Sequence, residues 1–195
     1  MSNIIVQKFG GTSVGSVERI DAVADIIKNA SLSEKIVVVV SAMSGETNKL
    51  VSLAKHFGDN PDKREFDALV STGETISSAL LTMALHSKGV KARSFSATQI
   101  SMKTTSTYSK AKILDVDSNK IMSVIENDTI PIITGFQGVT ETGDITTLGR
   151  GGSDTTAVAI AAQIKAKRCD IYKDVDGIYT TDRKIVSNAK KLDSI

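Results

Sequence analysis

KIVVVV, residues 35–40, is apolar from Ile36 to Val40, with no polar residue alternating through it. A strand with one wet face alternates, so an unbroken β-branched run predicts a parallel strand covered on both faces, and residues 41–45 (SAMSG) end it. On the N-terminal side, residues 3–8 form a second β-branched run broken at Gly10 and Gly11. Residues 16–29 then place Val17, Ile20, Val23, Ala24 and Ile27 on one helical face. On the C-terminal side, residues 47–56 read as a helix and 58–61 as a turn. Residues 63–87 read as one long helix carrying Phe66, Leu69, Val70, Ile76, Leu80, Leu81 and Met83, with Gly89 as its stop signal. Residues 90–95 read as a strand, 96–110 as an irregular or hairpin segment rich in Ser and Thr, and 111–116 as a weak strand. A helix over 117–127 capped by Asp117 or Ser118 follows, then a strand over 130–134 and a hairpin over 139–147 turning at Thr142 and Gly143. An Ala-rich helix over 154–165, a strand over 168–173, a turn over 174–177 and an extended piece over 178–181 complete the order, with 187–195 polar and unassigned.

Strands alternating with helices predict an α/β protein: a three-layer αβα sandwich on an open, mostly parallel sheet with helices on both faces. In such sheets ligands sit beyond the carboxyl ends of the strands. The glycine loops after Lys8, Val40 and Thr134 and the turn after Lys173 all fall there, so one site can draw on all four.

Composition narrows the ligand. The chain has 195 residues, 41% hydrophobic and 24% charged, with a net charge of +2 and basic residues that are spread out, so no nucleic-acid footprint is indicated. Cys169 is the one cysteine, which excludes an internal disulfide, and two histidines far apart, His56 and His86, make a Cys/His metal site improbable; no metal-binding residues are assigned. No signal-like segment and no apolar run of membrane-spanning length is read in the sequence, so a cytoplasmic protein with no membrane partner is expected.

Residues 134–156, TGFQGVTETGDITTLGRGGSDTT, concentrate the chemistry. Gly149, Gly151 and Gly152 let backbone approach a ligand, Arg150 offers a planar fork for a carboxylate or phosphate, and Ser153 is placed to cap the following helix. With Lys8 ahead of Gly10 and Gly11, this reads as an anion-binding site on a helix N-terminus. A Walker A loop is excluded because Ser16 and Val17 follow Gly15. No G-x-G-x-x-G, H-R-D or D-F-G signature occurs. Taken singly, Lys8 is a strand-end lysine, Glu74 a helix carboxylate and Tyr179 a half-buried ring; the ordered series of motifs is what lifts them.

That series, KFGGTS (8–13), VVVVSAMSGETN (37–48), STGETISSALL (71–81), GFQGVT (135–140), TTLGRGGSDTTA (146–157) and DVDGIYTTD (174–182), resembles the aspartate kinases of the amino-acid kinase family. The resemblance implies the amino-acid kinase fold and transfer of the ATP γ-phosphoryl group, with Mg²⁺, to the side-chain carboxylate of L-aspartate. The product would be 4-phospho-L-aspartate, on the route to lysine, threonine and methionine. It implies that Lys8 contacts the transferring phosphates, with Gly10, Gly11 and Ser13 beside it, and that Asp154 orients this lysine rather than acting as a base. Arg150 would hold a substrate carboxylate and Glu74 the ammonium group. Ser41 and Thr47 would line the aspartate pocket, and Gly151, Gly152 and Ser153 would present backbone amides. Lys173, Asp174, Tyr179 and Lys184 would lie along the nucleotide. A carboxylate nucleophile is already ionised at neutral pH, so positioning and cations suffice and the scarcity of histidine is no obstacle.

The sequence departs from the family in two places. After the DVDG turn, family members usually read T-D-P-R-I-V-P. Here Arg183 and Lys184 follow Asp182 and both prolines are absent, so Lys184 stands where a guanidinium fork is usual unless Arg183 substitutes. Lys173 stands where a small hydroxyl residue is common. The family also continues with a strand bearing a second phosphate-binding lysine and with regulatory ACT domains. Residues 1–195 are therefore expected to be a catalytic domain incomplete at its C-terminal end, with weak or no kinase activity alone and no feedback inhibition. A non-catalytic fragment or subunit that binds aspartate and nucleotide or completes its site with another chain is the alternative, as is another amino-acid kinase with an acyl-phosphate product; the expected assembly is a homodimer or a pairing with a chain that supplies the missing C-terminal part.

Overall fold

The computed structural model describes residues 3–174 together with Asn188 and Lys190. The extended piece expected over 178–181, most of the turn over 174–177, and Tyr179, Arg183 and Lys184 lie outside the described residues.

Five parallel strands make the main sheet: β1 (Ile4–Phe9), β2 (Lys35–Val40), β3 (Ala92–Phe95), and two further strands at Ile130–Thr134 and Arg168–Tyr172. A smaller sheet supplies β4 (Lys103–Thr104), β5 (Ile113–Asp115), β7 (Gln137–Val139) and β8 (Ile145–Thr147), so that Ile130–Thr134 is β6 and Arg168–Tyr172 is β9. The main order is β3-β6-β2-β1-β9 and the smaller order β5-β4-β7-β8. β2 lies at the centre, in register with β1 from Ile4↔Lys35 to Phe9↔Val40.

The sequence of β2 is now accounted for residue by residue. Val37 and Val39 face one apolar cluster with Ile4, Val6, Ile133, Ile121, Ile125 and Ile160, whereas Val38 and Val40 face the other with Ile5, Phe9, Ile20, Ile27, Leu81 and Leu85. Each of these four valines is fully buried, contributing on the order of 1.5–3 kcal/mol relative to an exposed side chain. Helices α1 (Val17–Ala30) and α4 (Thr72–Ser87) cover one face. Helices α5 (Ser118–Glu126) and α6 (Gly152–Gln163) cover the other. The expected αβα layering and parallel sheet are both present.

Several local expectations are corrected. The long helix over 63–87 is two helices, α3 (Lys63–Val70) and α4, parted at Ser71, with α2 (Glu46–Lys55) before them. The Ser71 and Thr72 hydroxyls donate to the carbonyls of Ala68 and Leu69, and Gln137 Nε2 donates to the Ser71 carbonyl, so side chains compete for the helix acceptors at the joint. Taken as one stretch, Lys63–Ser87 is long and apolar enough to cross a membrane, which the sequence reading did not recognise. Half of its most apolar window is buried inside the protein, as in a core helix. Val17, Ile76 and Met83, expected on buried faces, are exposed. Of the two alternatives for the Ser/Thr-rich stretch over 96–110, irregular or hairpin, the hairpin holds at its end, where β4 pairs antiparallel with β5. Its β4 joins a second sheet, held by backbone pairing and a 2.6 Å hydrogen bond between the hydroxyls of Thr104 and Thr146.

Close packing of α6 on the end of β6 requires Gly135, where a Cβ would lie 2.6 Å from Ser153 Cβ and 2.9 Å from Ser153 Cα. Gly135→Ala should therefore lower stability by about 1–3 kcal/mol in urea denaturation. An unchanged midpoint would show that the helix can retreat at no cost.

Candidate functional site

The carboxyl ends of β1, β2 and β9 and the N-termini of α2, α4 and α6 surround a cleft of about 870 Å³. Its walls include Lys8, Gly10, Gly11, Ser41, Thr47, Glu74, Arg150, Gly151, Gly152, Ser153, Asp154, Lys173 and Asp174. The structure thus brings together the site residues picked from the sequence, apart from Tyr179 and Lys184, which lie outside the described residues, and Ser13. The Ser13 N–H bonds to the Gly10 carbonyl at 2.9 Å, making it part of the turn rather than of the cleft lining.

Asp154 is the electrostatic centre. It sits in the first turn of α6, where the helix dipole favours an anion, with Oδ1 2.6 Å from Lys8 Nζ and Oδ2 2.7 Å from Lys173 Nζ. Burial alone would raise its pKa, but the hydrogen bonds and charges of Lys173 and Lys8 together hold it below the ordinary carboxylate value. Lys8 is nearly buried at the end of β1, whereas Lys173, just past β9, is half exposed. Two ammonium groups are thus fixed on one carboxylate at the floor of the cleft. The pairing of Lys173 with Asp154 was not foreseen, because it depends on β1 and β9 lying side by side.

The glycine loops serve this floor. The Gly10 N–H donates to the Tyr172 carbonyl at 3.1 Å, tying the loop after β1 to β9. A Cβ on Gly11 would come within 2.8 Å of the Ala42 carbonyl, and Ser44 N–H donates to the Gly11 carbonyl, so the loops after β1 and β2 interlock. On the far side, Gly149 (φ +80°) and Gly151 (φ +73°) flank the exposed Arg150. Gly151, not Ser153, is the N-cap of α6. Ser153 is packed inside the first turn against Gly135 and makes no capping bond, a correction forced by the helix starting at Gly152.

Glu74 is the second buried acid. Its Oε1 accepts the Ala42 N–H at 3.0 Å, while Oε2 is buried with no partner. Burial pushes its pKa from 4.5 to about 7, against the lowering effect of the backbone hydrogen bonds from Ala42 and its own N–H. One polar atom of the cleft wall is thus left unmet by any donor among the described residues.

Phe66, Phe136 and Ser109 also line the cleft. The sequence had assigned Ser109 to a surface hairpin. Only its polar character hinted otherwise, and its place depends on its hydrogen bonds to Asp67 of α3.

The profile of the amino acid kinase family matches residues 3–195. Aspartate kinase from Pseudomonas putida is 54% identical over 193 residues, covering 98% of this chain and 47% of that protein. Aspartokinase from Geobacillus stearothermophilus is 54% identical with the same coverage. The chain spans about half the length of the curated relatives it matches. Among solved structures, E. coli aspartokinase III in complex with aspartate and ADP superposes with a TM-score of 0.88 at 30% identity, covering 97% of this chain and 53% of that one. UMP kinase from Ureaplasma parvum, with a TM-score of 0.65 at 22% identity, covering 97% of this chain and 74% of that one, shares the fold.

The state of Glu74 makes stability depend on pH in a definite direction. The folded form keeps its proton to about pH 7, whereas an unfolded glutamate loses it near 4.5, so between these values the folded state binds more protons and stability falls as pH rises. Relative to Glu74→Gln, the wild type should lose on the order of 2–3 kcal/mol between about pH 5 and about pH 8.5 in denaturant titrations. Parallel pH profiles for the two proteins would contradict the burial of this charge.

Proposed function

Because this chain belongs to the amino acid kinase family, we propose that its cleft binds L-aspartate and ATP and is built to move the γ-phosphoryl group onto the aspartate side-chain carboxylate. The product is 4-phospho-L-aspartate, and this chemistry opens the route to lysine, threonine and methionine. The observation that carries the proposal is the Lys8–Asp154–Lys173 array, two cations held 2.6 and 2.7 Å from one carboxylate beside glycine-rich backbone.

Lys8 and Lys173 face the phosphate oxygens and offset the charge that gathers on them during transfer, while Asp154 holds both ammonium groups in place instead of accepting a proton. Gly10, Gly11, Gly151 and Gly152 give the phosphates close approach to backbone, and Asp174 lies on the nucleotide side. Arg150 grips the α-carboxylate of aspartate through its guanidinium fork. Glu74 Oε2 receives the ammonium group, and Ser41, Thr47 and Ser153 complete the pocket. Mg²⁺ enters on the phosphates. Asp154 is already occupied by two lysines, and no group of three or more potential ligands occurs among the described residues, so these residues offer the ion no cage. Free Cys169 and a nucleoside triphosphate substrate both suit a reducing cytoplasm.

Calorimetry tests the assignments separately. Arg150→Ala should weaken aspartate about tenfold or more and leave Mg-ADP within about twofold, and Lys173→Ala should do the reverse. Because the ammonium group needs ionised Glu74, aspartate affinity should climb about tenfold per pH unit up to about pH 7 and then level off, and Glu74→Gln should abolish that slope. Aspartate-dependent ADP release from Mg-ATP reports the reaction itself. Tighter binding of glutamate, acetylglutamate or UMP than of aspartate would refute the substrate.

A further inference from the structure

Asp67 belongs to α3, outside the cleft, and its residue is completely buried. Its carboxylate accepts four hydrogen bonds from only two residues. Oδ2 accepts the backbone N–H groups of Ser109 and Thr147, each at 2.8 Å, and Oδ1 accepts their hydroxyls, each at 3.0 Å. A buried carboxylate is costly unless its lone pairs are met by donors, and this one is met on both oxygens.

A plain folding anchor between α3 and the smaller sheet would account for the bonds but not for what the two donors do next. Ser109 and Thr147 both line the cleft, and both abut the segment that carries Arg150. Thr147 leads through Leu148 and Gly149 into Arg150, and its carbonyl accepts the Ala111 N–H at 2.9 Å. The Ser109 carbonyl lies against Gly149 so closely that a Cβ there would meet it at 3.3 Å. Ser109 itself is held at φ +65°, a left-handed conformation that a serine adopts only when its surroundings impose it. The glycines flanking Arg150 have no side chains with which to lock the loop; besides the bonds from Leu148 N–H to the Phe136 carbonyl and Gly152 N–H to the Gly149 carbonyl, it is held by Thr147 and by the packing of Ser109 against Gly149.

We propose that Asp67 is a positioning residue for the Arg150 loop. By clamping Ser109 and Thr147 it sets where the guanidinium sits over the cleft, and so the affinity for the substrate carboxylate, without touching substrate. This inference rests on the assignment of Arg150 to the amino-acid substrate.

Geometry rather than charge is the requirement, and that separates two variants. In Asp67→Asn the amide oxygen can keep both backbone donors while the NH₂ group donates to the two hydroxyls, which turn to accept. Asp67→Asn should therefore bind aspartate within about threefold of wild type, whereas Asp67→Ala, which leaves two N–H groups unmet, should bind it about tenfold or more weakly. Mg-ADP affinity should stay within about twofold in both. Trypsin cleavage after Arg150, timed by mass spectrometry, should accelerate in Asp67→Ala and stay at the wild-type rate in Asp67→Asn. If Asp67→Ala fails to fold, the pair Ser109→Ala with Thr147→Val removes only the hydroxyl bonds and should weaken aspartate by about three- to tenfold. Equal loss of aspartate and nucleotide affinity, unchanged cleavage at Arg150 in Asp67→Ala, or an Asn variant as damaged as Ala would each overturn the proposal. Failure of the wild type to bind aspartate would refute the substrate assignment instead, with the trypsin comparison still reporting on the clamp.

Discussion

The central strand, buried on both faces, is the constraint from which the rest follows. Val37 and Val39 need one apolar layer and Val38 and Val40 another, so helices must lie on both sides of the sheet. Parallel neighbours then force every connection to cross over, and each crossover leaves its strand at the same edge. The loops after β1, β2, β6 and β9 therefore converge at that edge, where the helix N-termini also point. The cleft lies where these loops meet.

Three buried or half-buried acids stand around that edge, and each is settled by a different means. Asp154 is charged because two lysines face it, Asp67 is saturated by four hydrogen bonds, and Glu74 has one oxygen satisfied and one bare. The contrast divides their roles. A saturated carboxylate ties its neighbours together, a carboxylate between two cations fixes them on one point, and an unsatisfied one has hydrogen-bonding capacity left over. Burial raises the pKa of Glu74 to about 7, because only one of its oxygens is met by a donor that would favour the charged form.

Most strands and helices were legible because their signals are local: β-branched runs for β1, β2 and β6, a 3.6-residue period for α1, and a glycine turn at Gly143 for the β7–β8 hairpin. The break at Ser71 was not legible, since it depends on Gln137 reaching a carbonyl from a strand distant in sequence. Nor was the smaller sheet, whose β4 is held by Thr104, a residue that looks like any other in a polar stretch until Thr146 is placed beside it. The cap of α6 was misplaced for a related reason. Ser153 has the chemistry of a cap, but the close approach of Gly135 packs it inward and leaves Gly151 at the turn.

The sequence by itself determined the αβα architecture and the edge of the sheet at which the glycine loops gather, and its resemblance to a family singled out Lys8, Glu74, Arg150 and Asp154, which the structure brings into one cleft. The first two follow from residue type and order along the chain, the last from an ordered series of motifs. Only the tertiary structure decided that Lys173 shares Asp154 with Lys8, that Glu74 has a bare oxygen, and that Asp67 ties Ser109 to Thr147. Those are relations between segments brought together by strand order and helix packing, and distances between such segments are not encoded in any local pattern.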